Sequence, residues 1–461
     1  MPNQSLLIRD IHTLVMMDAD DTVLHNAYLY AEDGEIRQVG TGSARLPKAD
    51  RVISGRYSVA IPGLVNTHHH LYQTLTRAFA AAADAELFDW LRALYPIWAR
   101  LDEESVHTAA LAGMAELALS GCTTTTDHHY VFPRGHANLI DAEIAAARRI
   151  GMRFHPTRGS MSVGKSKGGL PPDSVVESEA RILADSERLI RQYHDPRPGS
   201  MVQVALAPCS PFSVSPELMR RSADLAARYN VRLHTHLAET RDEEAYCLAR
   251  FGKRPLDLLE DCGWLGPNTW LAHGIYFNRR EITRLGRAGV GIAHCPTSNM
   301  RLGSGCAPVL ALRRAGCAVG IGVDGSASND SSHMLAEARQ ALLLHRLRHG
   351  AAALGVREAL RMATAGGARC LGRDDIGTLE AGKRADIAMF DLRGAGYSGA
   401  GDPVCALLLC APTRVETLII EGKVIVADGQ LQTLALDPLL ARHRRLARKL
   451  VGGAATSPVP D

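Results

Sequence analysis

Hydrophobic and polar positions change their rhythm twice along the chain. From LLIRDIHTLVMM through NAYLYAEDGEIRQVG to RVISGRYSVAIPG, short runs alternate with period two and break at turns such as DG. That pattern predicts β-strands. The habit returns late, where DIAMFDLRG and VETLIIEGKVIVADGQ alternate around EG and DG turns. Between these ends, strand-length apolar runs alternate with helical stretches. VHTAALAGMAELALSG precedes CTTTTDHHY and PELMRRSADLAARYN precedes VRLHTHLAE. TWLAHG, GVGIAHCP and AVGIGVDG each follow a helix-like stretch.

The repeat predicts an α/β fold, a (β/α)8 TIM-type barrel in preference to an open doubly wound sheet. Residues 1–60 form the first part of a small β-sandwich, 61–375 the barrel, 376–433 the second part of the sandwich, and 434–461 a C-terminal helix and tail. The stretch KSKGGLPPD, rich in Gly, Pro and Lys, reads as a loop able to act as a lid.

Composition narrows the setting. A chain of 461 residues, 46% hydrophobic, can bury a large core, and 52 Lys+Arg against 49 Asp+Glu give no electrostatic reason to expect nucleic acid or an anionic membrane as partner. The cationic run ARHRRLARK reads as a solvated helix face. Ten cysteines are scattered without a CxxC pair, as in reduced, buried thiols. No apolar stretch reaches the roughly 18 residues of a membrane span, and MPNQSLLIRDIHTLV lacks the layout of a secretory signal. A soluble, cytoplasmic protein is expected.

Candidate chemistry collects at strand ends, where barrels of this kind place function. In PGLVNTHHHLYQTLTR, residues 62–77, alternation puts Asn66, His68 and His70 on one side and Thr67 and His69 on the other. VRLHTHLAE ends on His234, His236 and Glu239, TWLAHG on His273, GVGIAHCP on His294, and AVGIGVDG on Asp324. So many metal-capable side chains closing apolar strands are expensive to desolvate without a partner. Three histidines and an aspartate, with one position left for water, suit a catalytic zinc site. The predicted ligands are His68, His70, His236 and Asp324. His234 lies about 6.5 Å deeper along its strand and reads as a core histidine. Glu239, three residues past His236, is placed to take and return a proton, and His273 to hydrogen-bond the nucleophile or a developing oxyanion. A serine or cysteine nucleophile is not expected.

With PGLVNTHHH, HTHLAET, LAHG, HCPTSNMRLGSG, GVDGSASND and GTLEAGKRADI, the chain resembles the amidohydrolase superfamily over nearly its whole length, in the cytosine/guanine-deaminase-like branch with a single metal. The resemblance implies that His68, His70, His236 and Asp324 hold one divalent ion, Zn²⁺ or, with the same donors, Fe²⁺. It also implies that Glu239 and Asp324 shuttle protons and that His273 assists the water. No strand end offers the lysine that bridges two metals in binuclear members, the nearest being Lys165 and Lys167 in the loop. Closer still, HHHLYQTLTR, LFDWLRALYPIWARL, TTTTDHHYVFP, TRGSMSVGKSKGGLPPDS and APCSPFSVSPE are similar to deaminases of 8-oxoguanine, implying 8-oxoguanine plus water to urate and ammonia.

A flat polar ring needs matched donors and acceptors. Gln73 can do both, Arg158 can supply donors to a ring carbonyl, Trp90 and Tyr130 offer stacking surfaces, and one of His128 and His129 faces the substrate. The same machinery serves guanine, isoxanthopterin, isocytosine or a hydroxytriazine, since all share the C–NH₂ unit. A catalytically inert scaffold would show erosion of the ligand set, and every position is intact. The implied partner is a small nucleobase-like molecule, and a homo-oligomer is compatible with the resemblance.

Overall fold

The computed structural model describes residues 5–42, 46–410 and 412–452; the predicted tail beyond 452 lies outside the described residues. Strands from both ends of the chain share one sheet. Ser5–Val15 pairs antiparallel with Val23–Glu32 and parallel with Ser58–Pro62. Ser58–Pro62 pairs in turn with Ile387–Asp391, which is followed by Thr417–Ile420 and Lys423–Ala427. The predicted turns have a common cause. Asp33–Gly34, Glu421–Gly422 and Asp428–Gly429 all carry positive φ at both residues (51° and 75°, 52° and 72°, 50° and 69°), as the tightest hairpins require.

The middle of the chain closes into a barrel of eight parallel strands. In order they are Leu64–Asn66, Cys122–His129, Arg153–Ser160, Ala205–Pro208, Leu233–Leu237, Thr269–His273, Gly291–His294 and Ala318–Ile321. The first strand lies between the second and the eighth, closing the ring. The short pair His69–His70 and Asp324–Gly325 extends that seam at the strands' C-terminal ends.

Strand starts do structural work. Arg153, buried at the beginning of the third strand, donates from Nε and Nη2 to Asp386 at 3.0 Å each and from Nη2 to Glu421 at 2.6 Å. Its Nη1 donates to the carbonyls of Gly199 and Ser200. One guanidinium thus ties the barrel to the end sheet. The C-terminal helix Leu436–Val451 is not simply a solvated face: Leu446 and Leu450 are buried, Arg442 pairs with Glu104 at 2.9 Å, and His443 Nε2 meets Thr74 Oγ1 at 3.0 Å. Among the described residues no helix is long and apolar enough to cross a membrane.

Three short strings match familiar motifs by letter alone. GSMSVGKS, residues 159–166, fits a phosphate-loop pattern and GIGVDG, 320–325, a dinucleotide one. The first runs into the 3-10 turn Lys165–Lys167 and the second into Asp324–Gly325, and neither opens the α-helix whose N-terminus such loops present to phosphate. GKSKG, 164–168, spells a nucleophile elbow. Ser166 is exposed there, on the 3-10 turn Lys165–Lys167, and its hydroxyl donates to Asp173 at 2.8 Å.

Replacing Arg153 with Ala would leave Asp386 buried without its cation, a loss of about 3–5 kcal/mol for a broken buried pair. Denaturant unfolding should register that loss, and an R153A chain as stable as the parent would contradict the assignment of this ion cluster as the tie.

Candidate metal centre

Backbone carbonyls decide which nitrogen of each histidine is bare. His70 Nδ1 lies 2.7 Å from the His128 carbonyl and His236 Nδ1 2.7 Å from the Cys209 carbonyl. A carbonyl only accepts, so both Nδ1 atoms carry the hydrogen and both Nε2 atoms keep a lone pair. His234 Nδ1 likewise donates to the Trp270 carbonyl at 2.9 Å. Its Nε2 must then accept from His68 Nδ1, 2.8 Å away, which leaves His68 Nε2 bare as well. Burial, the largest influence on each, holds His68, His234 and His236 well below the ordinary histidine range and so neutral.

These lone pairs converge. His70 Nε2 and His236 Nε2 are 3.2 Å apart with no proton to share. Asp324 Oδ1 stands 3.3 Å from His70 Nε2 and 3.4 Å from His68 Nε2, and His68 Nε2 has no hydrogen-bond partner. Donor atoms about 2.0–2.2 Å from one ion at tetrahedral angles lie about 3.3–3.6 Å from each other. The spacing suits one cation, and the electron-rich atoms have no other reason to crowd. Two overlapping groups of possible ligands meet here, His68, His70, His128 and His236 in one and His68, His273 and Asp324 in the other; the short Asp324 distances to His68 and His70 join them. His69 is turned away, its Nε2 on Ser332 Oγ at 3.0 Å.

Beside the cluster, Glu239 is raised well above the usual carboxyl range, by burial first and then by the Asp324 charge. His273 Nδ1 donates to Asn299 Oδ1 at 2.9 Å, so its Nε2 faces Glu239 Oε2 at 3.7 Å and Asp324 Oδ2 at 3.9 Å. Those gaps are too long for direct hydrogen bonds and leave room for a shared oxygen. Backbone strain marks the same places: Ala238, His273 and Asp324 have φ of 54°, 70° and 62°, conformations that non-glycine residues hold only when their surroundings impose them. Glu243 does part of this, accepting from Ala238 N at 2.8 Å and Glu239 N at 2.9 Å.

The cluster forms one end of a cleft. Gln73, Trp90 and Tyr130 line it, as the sequence predicts. Trp90 Nε1 donates to the Ala327 carbonyl at 3.0 Å, and the Tyr130 ring packs edge-on to His70 at 5.1 Å. Arg158 is a correction. Its guanidinium is bound to Glu177 at 2.8 Å and Asp185 at 2.7 Å and lies over Phe132 at 3.6 Å, away from the cleft wall. Neither neighbouring histidine lines the cleft. His129 is held by Glu143 at 2.8 Å and the Val131 carbonyl at 2.9 Å, while His128 donates to the Ala207 carbonyl at 2.9 Å and stacks on His236 at 4.6 Å. Residues that sequence reasoning passed over are Tyr95, Phe212 and Cys209 on the wall, and Asn299 and Glu243 behind it. Asn299 stands within the motif HCPTSNM and Glu243 within the acidic run ETRDEE, but only folding reveals their partners.

The sequence profile of the amidohydrolase family matches residues 59–425. The chain is 55% identical over 427 residues to 8-oxoguanine deaminase of Pseudomonas aeruginosa, covering 92% of this chain and 95% of that protein. It is 39% identical to hydroxydechloroatrazine ethylaminohydrolase of Pseudomonas sp. strain ADP, covering 97% and 96%. The crystal structure of atrazine chlorohydrolase TrzN from Arthrobacter aurescens TC1 complexed with zinc superimposes with a TM-score of 0.92 at 37% identity, over 96% of this chain and 100% of that one.

If His234 fixes the tautomer of His68, His234→Phe should weaken zinc binding about 10- to 100-fold, the usual cost of losing a group behind a ligand. Competition with a chromophoric chelator reads this directly, and unchanged affinity would refute the role.

Proposed function

The chain belongs to the amidohydrolase family, and from that membership we propose a metal-dependent deaminase that converts 8-oxoguanine and water to urate and ammonia. The observation that carries the reading is the convergence of three bare imidazole nitrogens and a carboxylate oxygen beside the buried carboxyl of Glu239. We assign His68, His70, His236 and Asp324 as the ligands of one divalent ion, Zn²⁺ by donor type, with Fe²⁺ suited to the same set. When bound, such an ion lowers the pKa of its water from 15.7 to about 7 and supplies a nucleophile at neutral pH.

The chain's own groups manage the protons. Glu239 takes a proton from the attacking water and delivers it to the ring nitrogen next to the carbon bearing the amine. The new C–O bond forms at that carbon, making it tetrahedral. Asp324, 3.9 Å from His273 Nε2, takes the remaining proton of the added hydroxyl and passes it to the amine; the C=O bond forms as the C–N bond breaks, and ammonia leaves. His273, kept in one tautomer by Asn299, holds the oxygen while this occurs. Gln73 turns its amide into the cleft, its Oε1 accepting from Ala327 N at 3.4 Å, and Trp90 and Tyr130 supply flat surfaces against the ring. A cytoplasmic setting agrees with ten free cysteines.

Ammonia release measured across 8-oxoguanine, guanine, isoxanthopterin, isocytosine and a hydroxytriazine tests the substrate. 8-Oxoguanine should give the highest kcat/KM, and equal turnover of guanine would overturn that choice. Glu239→Gln should lower kcat about 10²- to 10⁴-fold, the range for loss of a positioned acid–base group, with zinc content unchanged. An E239Q enzyme of undiminished kcat would remove Glu239 from the mechanism.

A further inference from the structure

The cleft wall holds two polar donors that the protein itself does not use. Tyr95 Oη and Gln73 Nε2 are both buried, both on lining residues, and both without a hydrogen-bond partner. Several other polar groups of the wall are committed. Trp90 Nε1 is spent on the Ala327 carbonyl, Ser328 Oγ on Ser298 and the Gly325 carbonyl, and His273 Nδ1 on Asn299. Gly325 is required for Gln73 to enter at all, since a Cβ there would sit 1.8 Å from Gln73 Oε1.

Tyr95 is held rigidly. It lies on the helix Leu87–Trp98, where Leu87, Leu91 and Tyr95 follow at intervals of four and so share one face. Its ring packs edge-on to Trp98 at 5.9 Å, Trp98 packs on Trp90 at 5.3 Å, and Trp98 Nε1 donates to Thr76 Oγ1 at 3.2 Å. Leu87, Leu91 and Phe212 are among the apolar residues that line the same cleft. A buried hydroxyl left unpaired is costly. Both residues line the cleft, so a bound ring can bring an acceptor to them.

Resting on the function proposed above, we propose that Tyr95 is a specificity residue whose hydroxyl donates to a ring oxygen remote from the reacting amine. The reacting carbon has to lie against Glu239, His273 and Asp324 at the strand ends. Whatever reaches the helix Leu87–Trp98 therefore belongs to the far side of the ring. Two unpaired donors, Gln73 and Tyr95, match a fused ring with two carbonyl oxygens. Guanine has one and 8-oxoguanine has two, so guanine leaves one donor stranded. Tyr95 is thus the group that separates oxidised from unoxidised guanine.

The test compares Tyr95→Phe with the parent enzyme on both bases, and compares urate with xanthine as inhibitors. These two products differ only in the oxygen at the five-membered ring, so their inhibition constants report on Tyr95 even where guanine turnover is too slow to follow. The Y95F enzyme should lose about 5- to 150-fold in kcat/KM for 8-oxoguanine and in affinity for urate, the factor for one stranded buried group. Its kcat/KM for guanine and affinity for xanthine should stay within about two-fold. A parallel fall for all four compounds, or no fall for any, overturns the role of Tyr95 while leaving the deaminase reading in place. A parent enzyme inert towards 8-oxoguanine overturns that reading and this inference with it.

Discussion

Bare imidazole nitrogens and a carboxylate oxygen repel one another, and the structure nevertheless holds them 3.2–3.4 Å apart. Everything near the mouth of the barrel serves that crowding. The carbonyls of His128 and Cys209 each take one Nδ1 hydrogen and aim the opposite nitrogen of His70 and His236 at a common point, while the Trp270 carbonyl sets His234 to accept from His68 Nδ1 and so bares His68 Nε2. Those carbonyls come from barrel strands or the residue just beyond one, so the tautomers are set by the parallel sheet itself. A cation at that point converts mutual repulsion into four attractions. Without one, the cluster has only burial and its supporting hydrogen bonds to keep it together.

The strain at the rim follows from the same demand. A strand running straight on would carry His273 and Asp324 past the cluster. Left-handed φ at Ala238, His273 and Asp324 turns the chain back over it. Two of these bends are held by a group from elsewhere: Glu243 grips the amides of Ala238 and Glu239, and Asn66 Oδ1 accepts from Val323 N at 2.9 Å beside Asp324. Behind His70, Asp127 accepts from Leu71 N, and Asp127, His129 and Glu143 form a wholly buried set. Burial first, and then the charge of Glu143, raises the Asp127 carboxyl well above its ordinary range. Neutral or shared-proton carboxyls of this kind brace the strand end without placing a net negative charge behind the cluster.

How much of this was legible in the sequence depended on whether the relevant partner was local. Period-two alternation put His68 and His70 together and His69 apart, and the structure separates them that way. The DG and EG turns announced hairpins because positive φ at two successive residues is a local requirement. Strand ends rich in His and Asp could be gathered onto one face of a barrel because the fold itself gathers them. Arg158 failed for the converse reason. Nothing near it in the chain shows that Glu177 and Asp185 will close on its guanidinium. His234 was rightly read as buried, but its hydrogen bond to His68 crosses 166 positions, and no spacing rule reports that. Within LFDWLRALYPIWARL no spacing singles out Tyr95; the missing partner of its hydroxyl sets it apart.

Chemistry and selectivity are carried by different parts of this fold. In the proposed reaction the strand ends act on the carbon that bears the leaving group. Relatives bearing the names of an oxoguanine deaminase, an ethylaminohydrolase and a chlorohydrolase share the architecture over almost the whole chain. Their differences therefore belong chiefly to whatever faces the ring away from the strand ends. In this chain that surface is the helix Leu87–Trp98, inserted after the first strand and anchored by tryptophans. Its lining positions can change without moving a single bond of the cluster, since none of its hydrogen bonds touches His68, His70 or His236. A rigid wall hung beside a fixed reaction centre lets substrate preference drift while the catalytic geometry stays intact.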